Sequence, residues 1–547
     1  MVPGVKWDNT ARVWRVPLSW ASCLALRGVF RDGLIIGPGL SVWAQNERAE
    51  RVDPAMSLRT ARDCDSWAEA LPALYPFQRA GAAFLATAGS ALMADEMGLG
   101  KTVQAISAVR ALGAWPMLVV CPNSVKRTWA NELARWAPDV SVTLVGGSAT
   151  ARRKAIADFR ATALSGPAAL VINWEALRLH SRIAGFGSIR LSEGDQEPKE
   201  LNEIEWGVVI ADEAHRAKEP QAKQTRALWG VAQGSRHRFA LTGTPIANSP
   251  DDLWSVMHFV SPSEWPAKTR WLDRYGLLAY NPFGGMNVVG IKAETRDELF
   301  GFLDPRFIRR TKEAVLPELP AKTYAKRYVE LVPKQQRAYN SLRKHMLVML
   351  EDGTLIASHP LQRMTRLLQF ASAYAEVDED GKVSLSEPSC KLDALDEVIE
   401  EAGGRQLVVF AESRQLIELA ALRLTKSGVS HALVTGQVGE AERGLNVEAF
   451  QRGETQVLLL TMGAGGEGLT LTAADTAVFL QRSFSSVKNL QAEDRIHRIG
   501  QEHEAITIID IISEDTIESR VHEMMLDKAL RLEEIARDAD TLRTWLS

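Results

Sequence analysis

Eight short apolar runs punctuate the chain, separated by stretches whose apolar positions recur at helical spacing. They are 117–121 (MLVVC), 168–172 (AALVI), 207–211 (GVVIA), 237–242 (HRFALT), 406–410 (QLVVF), 456–461 (QVLLLT), 476–480 (TAVFL) and 506–511 (ITIIDI). Uniformly apolar strands alternating with helices predict parallel sheets covered on both faces, an α/β architecture. Four runs precede residue 250 and four follow residue 400. The stretch between them is richer in helical periodicity and in proline, as in LPELPAKTY. The pattern therefore predicts two α/β lobes, at 71–262 and 389–547, joined by a helical protrusion and basic linker over 263–388. Residues 1–70 form a small accessory segment. Residues 192–205 and 376–388 read as exposed polar loops.

Composition narrows this picture. The chain has 547 residues, 46% hydrophobic, with 64 Lys+Arg against 68 Asp+Glu. A formal net charge of -4 argues against a uniformly basic nucleic-acid binder, though not against a local basic stripe. Over 306–344, eleven Lys/Arg face three Glu, a local charge of +8, so the remainder carries -12. Such a stretch either tracks a phosphate backbone or forms a solvated face. Lys326 and Arg327 are its candidate contacts. In the first 63 residues, nine Lys/Arg, six Asp/Glu and Trp7, Trp14, Trp20 and Trp43 either present a nucleic-acid surface or build a small core. The four cysteines are too scattered for a zinc module. With no secretory leader pattern and no run near ~18 apolar residues, a soluble intracellular protein is expected, of a prokaryote, its virus or a nucleus.

Several motifs carry chemistry. ALMADEMGLGKT, Ala91 to Thr102, joins an apolar run to a helical segment. Gly98 and Gly100 let backbone N–H groups approach phosphate oxygens, Lys101 supplies positive charge, and Thr102 supplies a hydroxyl for Mg²⁺. Asp95 stands where the usual pattern has its first glycine, so an ordinary turn is the competing reading. WGVVIADEAH ends a strand on Asp212 and Glu213, an acid for a metal ion and a neighbour for the attacking water, or else a pair of solvated acids. Gln78 carries an amide suited to an adenine edge. Thr242 and Thr244 sit where a strand meets a loop. Gly465, Gly466 and Gly468 follow another strand and permit close approach to a nucleotide or nucleic-acid phosphate. Arg495 and Arg498, three apart, share a face on a helix. They either stabilise charge in phosphoryl transfer or pair locally with Glu493 and Asp494. Asn123 and Lys126, just after a strand, are a second candidate nucleic-acid contact.

In this order the motifs resemble a superfamily-two ATPase of the Swi/Snf type, from about Leu74 to the C-terminal region. The resemblance rests on Gln78, DEMGLGKT at 95–102, CPNSVKRTW at 121–129, NWEAL at 173–177, DEAH at 212–215 and LTGTP at 241–245. It extends through IRRTKEAVLPELPAK at 308–322, AGGEGL at 464–469 and QAEDRIHRIGQ at 491–501. It implies two RecA-like lobes with ATP and Mg²⁺ in the cleft, and movement along duplex or forked DNA without sequence preference. Asp95, Glu96, Met97, Gly98, Leu99, Gly100, Lys101 and Thr102 would then form the ATP loop, with Gln78, Gly466 and Gly468. Lys101, Asp212, Glu213, Arg495 and Arg498 would be catalytic, and Thr102 and Asp212 would hold the metal. The segment WDNTARVWRVPL resembles the small HepA-related, annealing-helicase-like branch. Where the family often has a Trp-Asn-Pro-like stretch, Arg482-Ser483-Phe484-Ser485-Ser486 stands here, leaving Phe484 as the aromatic for a DNA contact. A strand-separating helicase and an ATP-gated nucleic-acid-binding module are the alternatives.

Overall fold

The computed structural model describes residues 2, 4–187, 189–244, 251–280, 286–351, 360–378, 382–465, 469–520 and 522. It divides into two compact units, the first running to Pro317 and the second starting at Glu318. The first is built on seven strands: β1 (Ser90–Met93), β2 (Met117–Cys121), β3 (Ser141–Leu144), β4 (Ala168–Asn173), β5 (Val208–Asp212), β6 (His237–Leu241) and β7 (Phe307–Ile308). Their spatial order is β7-β1-β6-β5-β2-β4-β3, and every pair is parallel. Helix α1 (Pro76–Ala88) precedes β1, α2 (Lys101–Leu112) connects β1 to β2, α3 (Lys126–Trp136) follows β2, and α4 (Trp174–His180) follows β4.

Parallel strands need crossover helices, and these cover the sheet, so strand residues on both faces are apolar. Phe84, Ile106, Val119, Val171, Ile210 and Phe239 are fully buried in one core. Each such side chain contributes about 1.5–3 kcal/mol through removal from water. Glycines set the ends of α2. Gly100 at φ 73° turns the chain into the helix, and Gly113 at φ 58° closes it, its N–H donating to the Arg110 carbonyl.

The second unit holds β8 (Ala321–Val329), β9 (Leu407–Ala411), β10 (His431–Val434), β11 (Val457–Thr461), β12 (Thr476–Phe479) and β13 (Ala505–Ser513). These six are also all parallel, in the order β8-β13-β12-β9-β11-β10. Helix α5 (Cys390–Ala402) packs on one side of this sheet and the short α6 (Ser486–Glu493) follows β12. The expected α/β class with two parallel-sheet lobes is thus present.

The structure gives more detail on three points of organisation. The stretch 263–388 is not one body between lobes. Its first part belongs to the first unit, where β7 joins the sheet, while β8 and the helices Pro333–Glu351 and Pro360–Ser372 belong to the second unit. Residues 1–70 pack into the first unit: the Trp20 indole N–H donates to the Gly301 carbonyl at 3.1 Å, and Arg59 Nε to the Phe307 carbonyl at 3.0 Å. None of Trp7, Trp14, Trp20 and Trp43 is buried, so they do not build a small core. Finally, 192–205 folds into two short helical turns with Leu201 fully buried, and 376–388 contributes to a hairpin of Tyr374–Val377 with Val383–Ser386.

Candidate nucleotide site

The phosphate loop leaves β1, and the acid pair ends β5, with β6 lying between them in the sheet. The loop, the acids and the Thr242 hydroxyl therefore share the carboxyl ends of neighbouring parallel strands, where open α/β sheets place ligands. Gly98 (φ 86°) and Gly100 (φ 73°) take the left-handed backbone that the loop needs. A Cβ on Gly100 would stand 2.4 Å from Gln78 Nε2. Lys101 Nζ reaches back over the loop and donates to the carbonyls of Asp95 (2.8 Å) and Glu96 (3.2 Å). A bound phosphate would compete for the same ammonium.

The first half of the loop is strapped from outside. Strand β7 pairs with β1, and the pairing continues past it: Ala94 N–H donates to the Ile308 carbonyl (2.7 Å) and Glu96 N–H to the Arg310 carbonyl (2.9 Å). Asp95 is 0% exposed, and its carboxylate is bound by the Arg310 guanidinium, through Nε at 3.1 Å and through Nη2. Arg310 also donates to the Gln104 amide oxygen (2.7 Å) and lies over the Phe77 ring. Glu96 accepts from the Lys312 backbone N–H at 2.7 Å. Within the expected ATP loop, Asp95 and Glu96 turn their carboxylates to this strap. This also explains why the first glycine of the usual pattern is absent: a buried carboxylate with a dedicated arginine occupies its place. Met97 packs against Gly243, and Leu99 is buried with its carbonyl accepting from Gln78 and Gln104. Gln78 uses both ends of its amide internally, accepting from Tyr75 N–H (3.1 Å) and donating to the Leu99 carbonyl (3.2 Å).

At the end of β5, burial and the charge of Glu213 push the Asp212 carboxyl up to about 6, against the pull of the Trp129 indole N–H and of Lys101. Glu213 adopts φ 51°, a left-handed backbone that costs a non-glycine residue about 1–3 kcal/mol. His215 Nδ1 lies 3.2 Å from Glu213 Oε2 and 3.1 Å from Thr242 Oγ1. The Thr242 hydroxyl also accepts from Thr244 N–H at 3.1 Å, so the acid motif is linked to the segment after β6. Thr102 and Asp212 are hard oxygen donors, fitting an Mg²⁺ that keeps water and phosphate among its ligands. Among the described residues no three His, Cys, Asp or Glu cluster into an all-protein metal site.

In the second unit, Arg495 and Arg498 do not lie on a helix, since α6 ends at Glu493. They still converge: Arg495 Nη1 donates to the Leu469 carbonyl (3.1 Å), and Arg498 Nη1 to the same carbonyl (3.2 Å) and to Thr470 Oγ1 (3.1 Å). Glu493 and Asp494, their suggested local partners, are engaged by Lys322, and Glu493 also by Arg482 and Tyr324. Burial opposes the Lys322 charge, but Asp494 and Glu493 hold its pKa above the ordinary range. Gly466 and Gly468 lie outside the described residues. Phe484 is half-buried beside Ser483, whose N–H donates to the Asn489 amide oxygen at 2.9 Å.

The basic stretch 306–344 is largely spent on structure. Arg306 pairs with Glu264, Arg310 with Asp95, Lys322 with Glu493 and Asp494, and Arg327 with Glu397 and Glu401 on α5. Lys326 is exposed, on the face of β8 opposite Arg327. Asn123 is exposed on the turn after β2, while Lys126 Nζ donates to the Val145 carbonyl at 3.0 Å. Two tryptophans with no role assigned above, Trp129 and Trp174, both reach Asp212. Their signal was the position of each just after a strand, inside CPNSVKRTW and NWEAL.

A glycine-shaped loop with a lysine, opening a helix beside a strand that ends in an acid pair, defines a P-loop nucleotide-binding lobe. The SNF2-related domain family matches residues 61–376, and the helicase conserved C-terminal domain matches 390–500. The chain belongs to the SNF2-related family. Among its relatives, "Chromodomain-helicase-DNA-binding protein 1-like" of Danio rerio is 29% identical over 86% of this chain and 45% of its own length. "Putative ATP-dependent helicase/translocase YwqA" of Bacillus subtilis is 31% identical over 83% of this chain and 48% of its own. The chain thus spans about half the length of these relatives. A solved structure, the Sulfolobus solfataricus SWI2/SNF2 ATPase core in complex with dsDNA, covers 86% of this chain and 94% of its own at 24% identity and a TM-score of 0.37. No helix among the described residues is long and apolar enough to cross a membrane.

Proposed function

We propose that this chain hydrolyses ATP in response to DNA and uses the cycle to translocate along duplex or forked DNA, remodelling or reannealing it or displacing bound protein. The observation that carries this reading is the gathering of Lys101, Asp212, Glu213 and Thr242 at the carboxyl ends of β1, β5 and β6 and the segments that follow them. Lys101 binds the phosphates, and Thr102 and Asp212 hold Mg²⁺, which supplies charge neutralisation at the phosphate oxygens. Glu213, its backbone turned into the left-handed region, orients the attacking water and accepts its proton. Arg495 and Arg498, held together by the Leu469 carbonyl, supply positive charge to the transferring phosphoryl group. Movement follows when ATP and its products favour states that grip DNA unequally, since a ligand shifts an equilibrium only by differential affinity.

Within the SNF2-related family, the narrower HepA-related, annealing reading is supported by WDNTARVWRVPL, whose Trp7 and Trp14 pack edge to face on an exposed hairpin. The test is the ATPase rate with no nucleic acid, single-stranded DNA, duplex DNA, forked DNA and RNA. Lys101→Ala and Glu213→Gln serve as inactive controls. Stimulation by duplex or fork supports the proposal, and a rate indifferent to every DNA refutes it. Displacement of a triplex strand without duplex unwinding separates a translocase from a strand-separating helicase.

A further inference from the structure

Two indoles close over the strand that carries the acid pair. Trp129, 1% exposed on α3, donates its Nε1–H to Asp212 Oδ2 at 2.8 Å. Trp174, fully buried at the start of α4, donates its Nε1–H to the Asp212 backbone carbonyl at 3.0 Å. Strands β2 and β4, which deliver α3 and α4, lie in order beside β5. The turn and helix after each thus lean on Asp212 from the same side. The contacts differ in kind. Trp174 fixes the backbone, whereas Trp129 holds one carboxylate oxygen and so selects a side-chain rotamer. The other oxygen, Oδ1, accepts from the Glu213 backbone N–H at 2.9 Å.

We propose that Trp129 is a positioning residue for the Asp212 carboxylate, and that it ties the orientation of that carboxylate toward Mg²⁺-nucleotide to the Asn123–Lys126 turn three residues upstream. A hydrogen bond from an indole to a charged carboxylate is strong enough for its loss to free the rotamer. Lys126 opens α3 and Trp129 follows three residues later on the same helical turn, so a displacement of Lys126, driven through the Asn123–Val125 turn that leads into it, moves the indole and with it the oxygen it holds. The positioning role stands on the 2.8 Å contact alone. The link to DNA rests on the function proposed above.

The test compares Trp129→Phe with Trp174→Phe, each of which removes one indole N–H and leaves a void of similar size. The probe is a fluorescent ATP analogue, titrated onto the full chain in EDTA and at increasing Mg²⁺ without DNA. Trp129→Phe should raise the Mg²⁺ needed for half-maximal tightening roughly tenfold, leaving affinity in EDTA unchanged. Trp174→Phe should leave the Mg²⁺ dependence where it was. In an Asp212→Asn background, Trp129→Phe should add no further shift, which separates positioning from general loosening of the fold. An unchanged Mg²⁺ dependence in Trp129→Phe, or an equal shift in Trp174→Phe, overturns the proposal. If the Mg²⁺ shift appears but no DNA stimulates hydrolysis in the unaltered chain, the functional reading fails while the positioning role stands.

Discussion

Replacing Arg310 with Met tests whether the strap beside the phosphate loop holds that loop in shape. Arg310 is 8% exposed and Asp95 0%, and the guanidinium contacts both carboxylate oxygens, the Gln104 amide and the Phe77 carbonyl. Met fills much of the same space but leaves Asp95 a buried anion whose remaining side-chain contact is the Gln104 amide at 3.4 Å. Removing one partner of a buried ion pair costs about 3–5 kcal/mol, because the other charge stays behind without compensation. The cost should fall on the loop first, since Ala94 and Glu96 are tied by backbone hydrogen bonds to the same strap. Hydrogen exchange should therefore report faster opening of Asp95–Leu99 by about two to three and a half orders of magnitude, at roughly tenfold per 1.4 kcal/mol. Nucleotide affinity should fall in parallel. The double variant Asp95→Asn with Arg310→Met removes the stranded charge and should recover most of the protection. If Arg310→Met alone exchanges and binds nucleotide like the unaltered chain, the strap carries no load and the reasoning is wrong.

Other perturbations have equally definite outcomes. Lys101→Ala should abolish turnover and weaken nucleotide binding, whereas Glu213→Gln should abolish turnover with binding retained, read by filter binding beside an ATPase assay. Lys326→Glu should weaken DNA binding and lower the log–log salt slope by about one, while Arg327→Glu should alter neither. Its exposed pairs with Glu397 and Glu401 are worth about 0–1 kcal/mol in stability, so a matching loss of DNA affinity would return Arg327 to the interface. His258, packed against Trp254 and Trp229, has its pKa lowered, chiefly by burial, with Arg238 adding to the effect against the Trp265 carbonyl. The folded state therefore refuses a proton that the unfolded chain accepts below about pH 6.5. Stability from this residue is complete above that pH and is lost progressively as pH falls from there through the lowered folded-state pKa. His258→Phe should flatten that part of a urea midpoint-against-pH curve, and an unchanged slope would count against it.

The division between what could and could not be read from the sequence follows the sheet edges. The eight apolar runs became the interior strands β2, β4, β5, β6, β9, β11, β12 and β13, each flanked by a strand on both sides. The four edge strands, β3, β7, β8 and β10, left no such run. An edge strand need not be apolar on both faces, and β8 is mostly exposed although it pairs with β13 over nine residues. Strand β7 has two residues, too few for any periodicity. The phosphate loop and acid pair were legible because their chemistry depends on neighbouring residues in order. Arg310 was legible as positive charge and as part of the run at 308–322, but not as the partner of a particular acid. Its partner Asp95 lies 215 positions away in sequence, and no local pattern distinguishes a cation destined for a buried carboxylate from one facing solvent. Arg495 and Arg498 illustrate the reverse: their shared destination was anticipated on a helix, yet a common carbonyl, rather than helical spacing, brings them together.

The position of β7 bears on where the first lobe can be separated from the rest. A fragment ending at residue 262 retains the loop, the acid pair and six of the seven strands, yet lacks Phe307, Ile308 and Arg310. Its β1 would present an open row of backbone donors and acceptors, the kind of edge through which chains associate with one another. Asp95 would be left without its cation in the same fragment. A soluble, nucleotide-competent lobe should therefore extend through Pro317, where the contact boundary falls. The shorter fragment is expected to aggregate even though every motif residue of the lobe is present.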